Sequence, residues 1–162
     1  MRVLRAIAAV LLLAACQQSK PSADTPGARL EIAAVARGLV PDPAGGTLFG
    51  IWANETDRLC VVPGGRADRI GARVDYGEGQ GCSAAGTVER DGAALRITFG
   101  ECRFEAEFDG ERIAFPAVLP AACGRVCSGR ASLTALTVER LSESVSEAAM
   151  LRGADGKPLC AG

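Results

Sequence analysis

From Thr47 to about Phe115 the chain is mostly short β-like runs split by Gly, Asp and Pro, and the later runs alternate apolar and polar residues. A period of two is the mark of a strand with one face in a core and the other in solvent. Thr47 to Ala53, Arg58 to Val62 and Arg69 to Tyr76 are the first three runs. Asn54-Glu55-Thr56-Asp57 joins the first two, Pro63-Gly64-Gly65 ends the second, and Gly77, Gly79 and Gly81 close the third. After an irregular crossing from Pro116 to Cys127, the pattern returns from Ala131 to Leu141.

Two Asp-Gly pairs set registers between these runs, because Asp-Gly flanked by alternating apolar residues signals a tight hairpin. With Asp91-Gly92 as a two-residue turn, residue 90 faces 93 and Cys82 falls opposite residue 101, one place from Cys102. With Asp109-Gly110 as the second turn, Phe104 faces Phe115, Ala106 faces Ile113, and Glu107 opposes Arg112 on the other face. Seven or eight strands in sequential hairpins predict a mainly β fold, a small antiparallel meander that is either a barrel or a strongly curved sheet. Short helices flank it. Ala28 to Arg37 suits one, with Gly38 as its stop. Ser144-Val-Ser-Glu147 reads as a capping box that opens a second helix running to Leu151.

The first sixteen residues follow another rule. Basic Met1-Arg2-Val3-Leu4-Arg5 precedes an apolar run from Ala6 to Ala15, too short for a core that needs roughly 20 helical residues to cross. The run ends Leu13-Ala14-Ala15-Cys16, which resembles the lipobox of bacterial lipoproteins. The resemblance implies a diacylglycerol on Cys16, cleavage before it, and acylation of the new amine. Residues 1–15 are then a signal peptide. Gln17, where inner-membrane lipoproteins often carry Asp, implies an outer-membrane anchor facing the periplasm. Polar, Pro-containing residues 16–27 form a lipidated tether, and 28–162 form a single domain of ordinary size.

Loss of Arg2 and Arg5 with the signal leaves 16 of 18 basic residues against 19 acidic ones, a formal charge of −3. A balance this even lacks the basic footprint of a nucleic-acid binder. Beyond Cys16 stand Cys60, Cys82, Cys102, Cys123, Cys127 and Cys160. An even set in an exported chain predicts three disulfides. Fifteen pairings are open, and the hairpin register makes Cys82–Cys102 the leading one. Zinc at Cys123-x-x-x-Cys127 is the weaker alternative, and no metal or other cofactor is expected.

The chain has no histidine, which removes Ser-His-Asp, Cys-His and His-ligated metal sites. Carboxylate pairs remain, and Asp57, Asp75 and Glu78 stand near turns that can share one mouth of the sheet. An enzyme is not expected. Gly50-Ile51-Trp52 resembles the Gly-x-Trp that opens lipocalin-like barrels and small envelope inhibitor lipoproteins. The resemblance implies a tryptophan closing a barrel floor, with Cys60 placed for a stapling disulfide. After that tryptophan, Asn54, Glu55, Asp57 and Arg58 make a polar loop of both signs, a candidate recognition loop on a rigid scaffold. The expectation is a non-catalytic protein-binding or inhibitor-like envelope module, with a lipocalin-like carrier or a passive envelope component as alternatives. Its partners would be the membrane, through the lipid, and an envelope protein.

Overall fold

The computed structural model describes residues 25–40 and 45–161. The chain divides between Val40 and Pro41, and the two units are described separately. In the first, helix α1 spans Pro26–Ala36. Thr25 caps it by accepting from the Ala28 N–H at 3.2 Å, and a proline in the first turn has no donor to waste. The expected helix is present, displaced by two residues at its start. Cys16, the segment 1–15, most of the tether and Pro41-Asp42-Pro43 lie outside the described residues.

The second unit is a closed antiparallel barrel whose eight strands follow one another in sequence order. They are β1 (Gly50–Asn54), β2 (Asp57–Val62), β3 (Asp68–Asp75), β4 (Gly81–Asp91), β5 (Ala94–Phe99), β6 (Cys102–Phe108), β7 (Arg112–Ala114) and β8 (Thr137–Ser142). Closure comes from β8 returning to β1, with Trp52 opposite Arg140 and Ala53 opposite Glu139. A closed sheet leaves no unpaired edge strand. Of the two architectures the pattern allowed, the barrel is the one formed.

Both Asp-Gly turns lie one residue later than the sequence suggested. Asp91 pairs with Ala94, and the Asp109 N–H bonds the Arg112 carbonyl. The turns are therefore Gly92-Ala93 and Gly110-Glu111. Gly92 (φ 61°) and Gly110 (φ 97°) hold the first central position in the positive-φ region, which a two-residue hairpin with glycine first requires. A whole-residue shift at the turn moves each register by two, so inward and outward faces are preserved. Phe108 now faces Ile113 and Glu107 faces Ala114. The expected Glu107–Arg112 pair does not form; Arg112 turns to Asp109 at 3.2 Å.

The inward residues fill the barrel. Trp52, Leu59, Ile70, Leu95, Ile97 and Phe108 are each essentially without solvent contact, as expected where eight strands enclose a space just wide enough for side chains. β2 is apolar on both faces because its outer side is covered too. Cys60 and Val62 pack there with Ala148, Leu159 and Cys160, beneath helix α2 (Val145–Ala149) and the tail. Ser144 caps α2 by accepting from the Glu147 N–H. The capping box closes indirectly: Glu147 accepts from the Ser142 hydroxyl at 2.6 Å, and Ser142 Oγ accepts from the Ser144 N–H.

Three disulfides staple the fold: Cys60–Cys160, Cys82–Cys127 and Cys102–Cys123. The expected Cys82–Cys102 bridge is replaced. β4 follows β3 through Cys82, opposite Val74, but meets β5 only from Thr87 onward. Strands β4 and β5 thus part below Cys82. The crossing enters that gap, with the Ser128 N–H on the Gly81 carbonyl and Cys127 bridged beside Cys82. Its 3-10 helix, Ala121–Val126, carries Cys123 to Cys102 at the start of β6.

Candidate functional site

Strand direction gives the barrel two ends. At the lower end Leu48 precedes β1 and the Trp52 indole N–H donates to its carbonyl at 3.1 Å. The ring of Trp52 meets Phe108 edge-on, with centroids 5.6 Å apart. Two arginines sandwich this pair: Arg140 stacks on Trp52 at 4.2 Å and Arg90 on Phe108 at 4.5 Å. Each also holds the chain that crosses the opening. Arg90 donates to the Gly46 carbonyl at 2.6 Å, and Arg140 to those of Thr47 and Gly110 at 2.7 and 2.5 Å. The planar fork allows stacking and donation at once. This end is a plug of rings and guanidinium groups.

Sequence reading marked Trp52 and missed both arginines. Their signal was available. Arg140 continues the inward register of Leu136 and Val138, and Arg90 that of Ala84 and Val88, all four of which are buried. A charge in an apolar register has to find partners at a barrel end or remain unpaired.

At the upper end the candidate loop is a tight β1–β2 turn with Asn54 opposite Asp57. Its polar groups are largely committed to the fold. Asn54 donates to the Thr137 carbonyl at 3.0 Å, and Thr56 to the Asp75 carbonyl at 3.2 Å. Arg58 donates to the carbonyls of Glu55 and Asp57 at 2.6 and 2.7 Å, in place of a side-chain ion pair with Asp57. Asp57 in turn accepts from the Asp75 N–H at 3.2 Å. Glu55 is left, exposed on a positive-φ residue (47°).

Asp57 and Asp75 are therefore neighbours, as the shared-mouth expectation had it. Burial pushes the Asp57 carboxyl above its ordinary value, against the pull of the Asp75 N–H. The Gly77 N–H and then Arg73 hold Asp75 below its ordinary value. Glu78 stands on the β3–β4 turn at the same end, with no hydrogen bond or ion pair to either among the described residues. All six domain cysteines are disulfide-bonded, so the Cys123-x-x-x-Cys127 spacing serves two bridges. Among the described residues no three of Cys, Asp and Glu gather as metal ligands.

The crossing closes this end, with Cys123, Leu133 and Leu136 in the main core and Leu119, Val126 and Ala131 packed against it. Hollows lie on the outside among the described residues. One, of about 490 Å³, lies beside the Cys82–Cys127 bridge between Arg73, Gln80 and Arg125. Another, of about 600 Å³, lies between β6 and β7, where Glu105 and Glu107 stand over Ala94, Ala114, Phe108 and Phe115.

Comparison with protein-family models, curated proteins and solved structures gives no match to this chain. The functional reading therefore rests on residues and geometry alone.

Proposed function

We propose that this protein is a lipid-anchored envelope module that works by binding another protein, in the manner of an inhibitor or adaptor, without chemistry of its own. The observation that carries the reading is the double closure of a filled barrel. The ring-and-arginine plug seals one end, the disulfide-pinned crossing seals the other, and the axis between them is packed with side chains. What such a body offers is a rigid outer surface. Rigid scaffolds bearing short loops bind with little ordering cost. The packed interior weighs against the lipocalin-like carrier, which needs a chamber. The lipobox-like Leu13-Ala14-Ala15-Cys16 supports anchoring through Cys16, with the outer membrane as the favoured address.

The test is site-specific photo-crosslinking of the full chain in living envelopes, with probes at Glu55, Glu107 and Leu141. A stoichiometric adduct with one envelope protein is the expected result. Uniform absence of adducts, with the three disulfides intact, sinks the reading. In parallel, Cys16→Ala is expected to abolish acylation and to release the protein from the membrane pellet. Persistent membrane association without acylation would overturn the anchor.

A further inference from the structure

We propose that the hollow between β6 and β7 is a docking groove for a basic, extended segment of a partner protein, with a Lys or Arg side chain entering it. The inference rests on the protein-binding reading above and names its surface.

The hollow exists because the β6–β7 ladder is cut short. β7 has three residues, and its pairing with β6 stops at Glu107 opposite Ala114. Continuing that register would set Pro116 opposite Glu105, and proline has no N–H to give the ladder. The chain instead leaves β6 at Phe115, whose N–H bonds the Leu136 carbonyl in continuation of the β7–β8 pairing. Alanines at 93, 94 and 114 then leave about 600 Å³ open, with Phe108 and Phe115 at its base.

The charges lining it are mostly acidic, Glu105, Glu107 and Asp109 against Arg112. Glu105 and Glu107 point outward from β6, two residues apart on one face, and both are exposed. Neither makes an ion pair or hydrogen bond among the described residues. The nearby arginines pair with other acids: Arg112 with Asp109 at 3.2 Å, and Arg96, opposite Glu105 in the β5–β6 register, with Glu89 at 3.8 Å. Two carboxylates without an ion pair, over an apolar base, match a side chain that is apolar along its stem and cationic at its tip. The stem lies along the alanines and ring edges, and the tip donates charge-assisted hydrogen bonds to both acids. A bare divalent cation is less well served, because no third oxygen-bearing acid joins the pair as a ligand.

The experiment is an NMR titration of the full-length, oxidised protein in neutral detergent with the peptide acetyl-Ala-Lys-Val-Lys-Ala-amide. Saturable shifts confined to residues 93–94, 105–109 and 112–116 are expected, and the Glu-for-Lys peptide should give none. Glu107→Gln should weaken binding about tenfold, as the loss of one charge-assisted hydrogen bond does, and Glu105→Gln with Glu107→Gln should abolish it. Both positions are exposed, so an unchanged reference spectrum shows that the variants are folded. No saturable shift, shifts elsewhere, indifference to the double change, or equal binding of spermidine would each overturn the groove. The two readings fail separately. A partner crosslinked at another face, with no peptide binding, removes the groove alone; no crosslinked partner at any face removes both.

Discussion

Arg140 does three jobs with one planar group: it stacks on Trp52, donates to the Thr47 and Gly110 carbonyls, and stands near Glu111 and Glu143 at 4.0 and 3.7 Å. Replacing it with methionine keeps the stem and removes the donors. Arg140→Met should destabilise the barrel by about 2–3 kcal/mol, from lost charge-assisted hydrogen bonds and the cation–π contact. Arg140→Lys should recover less than half, since an ammonium cannot lie flat and fork to two carbonyls. Urea midpoints at an unchanged slope measure both. A loss under about 0.5 kcal/mol for the methionine variant would show the plug to be ornamental.

Asp57 makes a second residue-scale case, with opposite sign. Because burial raises its carboxyl pKa in the folded state, ionised Asp57 costs stability. That cost grows as pH rises from the ordinary aspartate value through the raised one. Asp75 behaves the other way, contributing stability that is lost as pH falls through its lowered value. Asp57→Asn keeps an acceptor for the Asp75 N–H and removes the charge. It should raise the melting temperature slightly at about pH 7 and leave it unchanged at about pH 3, where both forms are neutral. A fall at pH 7 would mean that the ionised carboxylate is needed.

At the scale of elements, the hairpins show how far a pattern reaches. Asp91-Gly92 and Asp109-Gly110 were legible as turns, and the faces of β4 to β7 followed from alternation. The registers were not, because Asp-Gly fits a two-residue turn with glycine either second or first, and the strand twist that decides between them is set by neighbours. The disulfide partners followed the same limit. A bridge inferred across one hairpin had to yield once β4 and β5 diverged and a remote segment filled the gap. That Cys60 anchors the C-terminal tail through Cys160 was not legible. That bridge spans 100 residues. Its removal by Cys60→Ser with Cys160→Ser should cost about 4–5 kcal/mol on the chain-entropy estimate. It should also free Leu159 from Gly71, where the backbones approach so closely that an added Cβ would stand 2.5 Å from that leucine's own. Tail amides exchanging no faster in the double variant would show that packing alone holds the tail.

For the whole molecule, closure is the property with consequences. Peptide mapping without reductant should return Cys60–Cys160, Cys82–Cys127 and Cys102–Cys123 with no free thiol. Recovery of Cys82–Cys102 would dismantle the upper crossing as described. By itself the sequence determined the mainly β class, the strand count to within one, the two short helices with the Gly38 stop and the Ser144 cap, and the presence of a disulfide set. Those depend on side-chain periodicity and local turn chemistry, which act over a few residues. Tertiary structure alone decided that the sheet closes, which cysteines meet, and that two arginines plug one end. It also decided that Asp57 accepts from the Asp75 N–H, and that the β6–β7 ladder stops at Glu107 and Ala114, leaving a hollow beside two acids without ion pairs. Each of these brings together residues tens of positions apart, and their meeting is fixed by how the strands twist and pack around a common core.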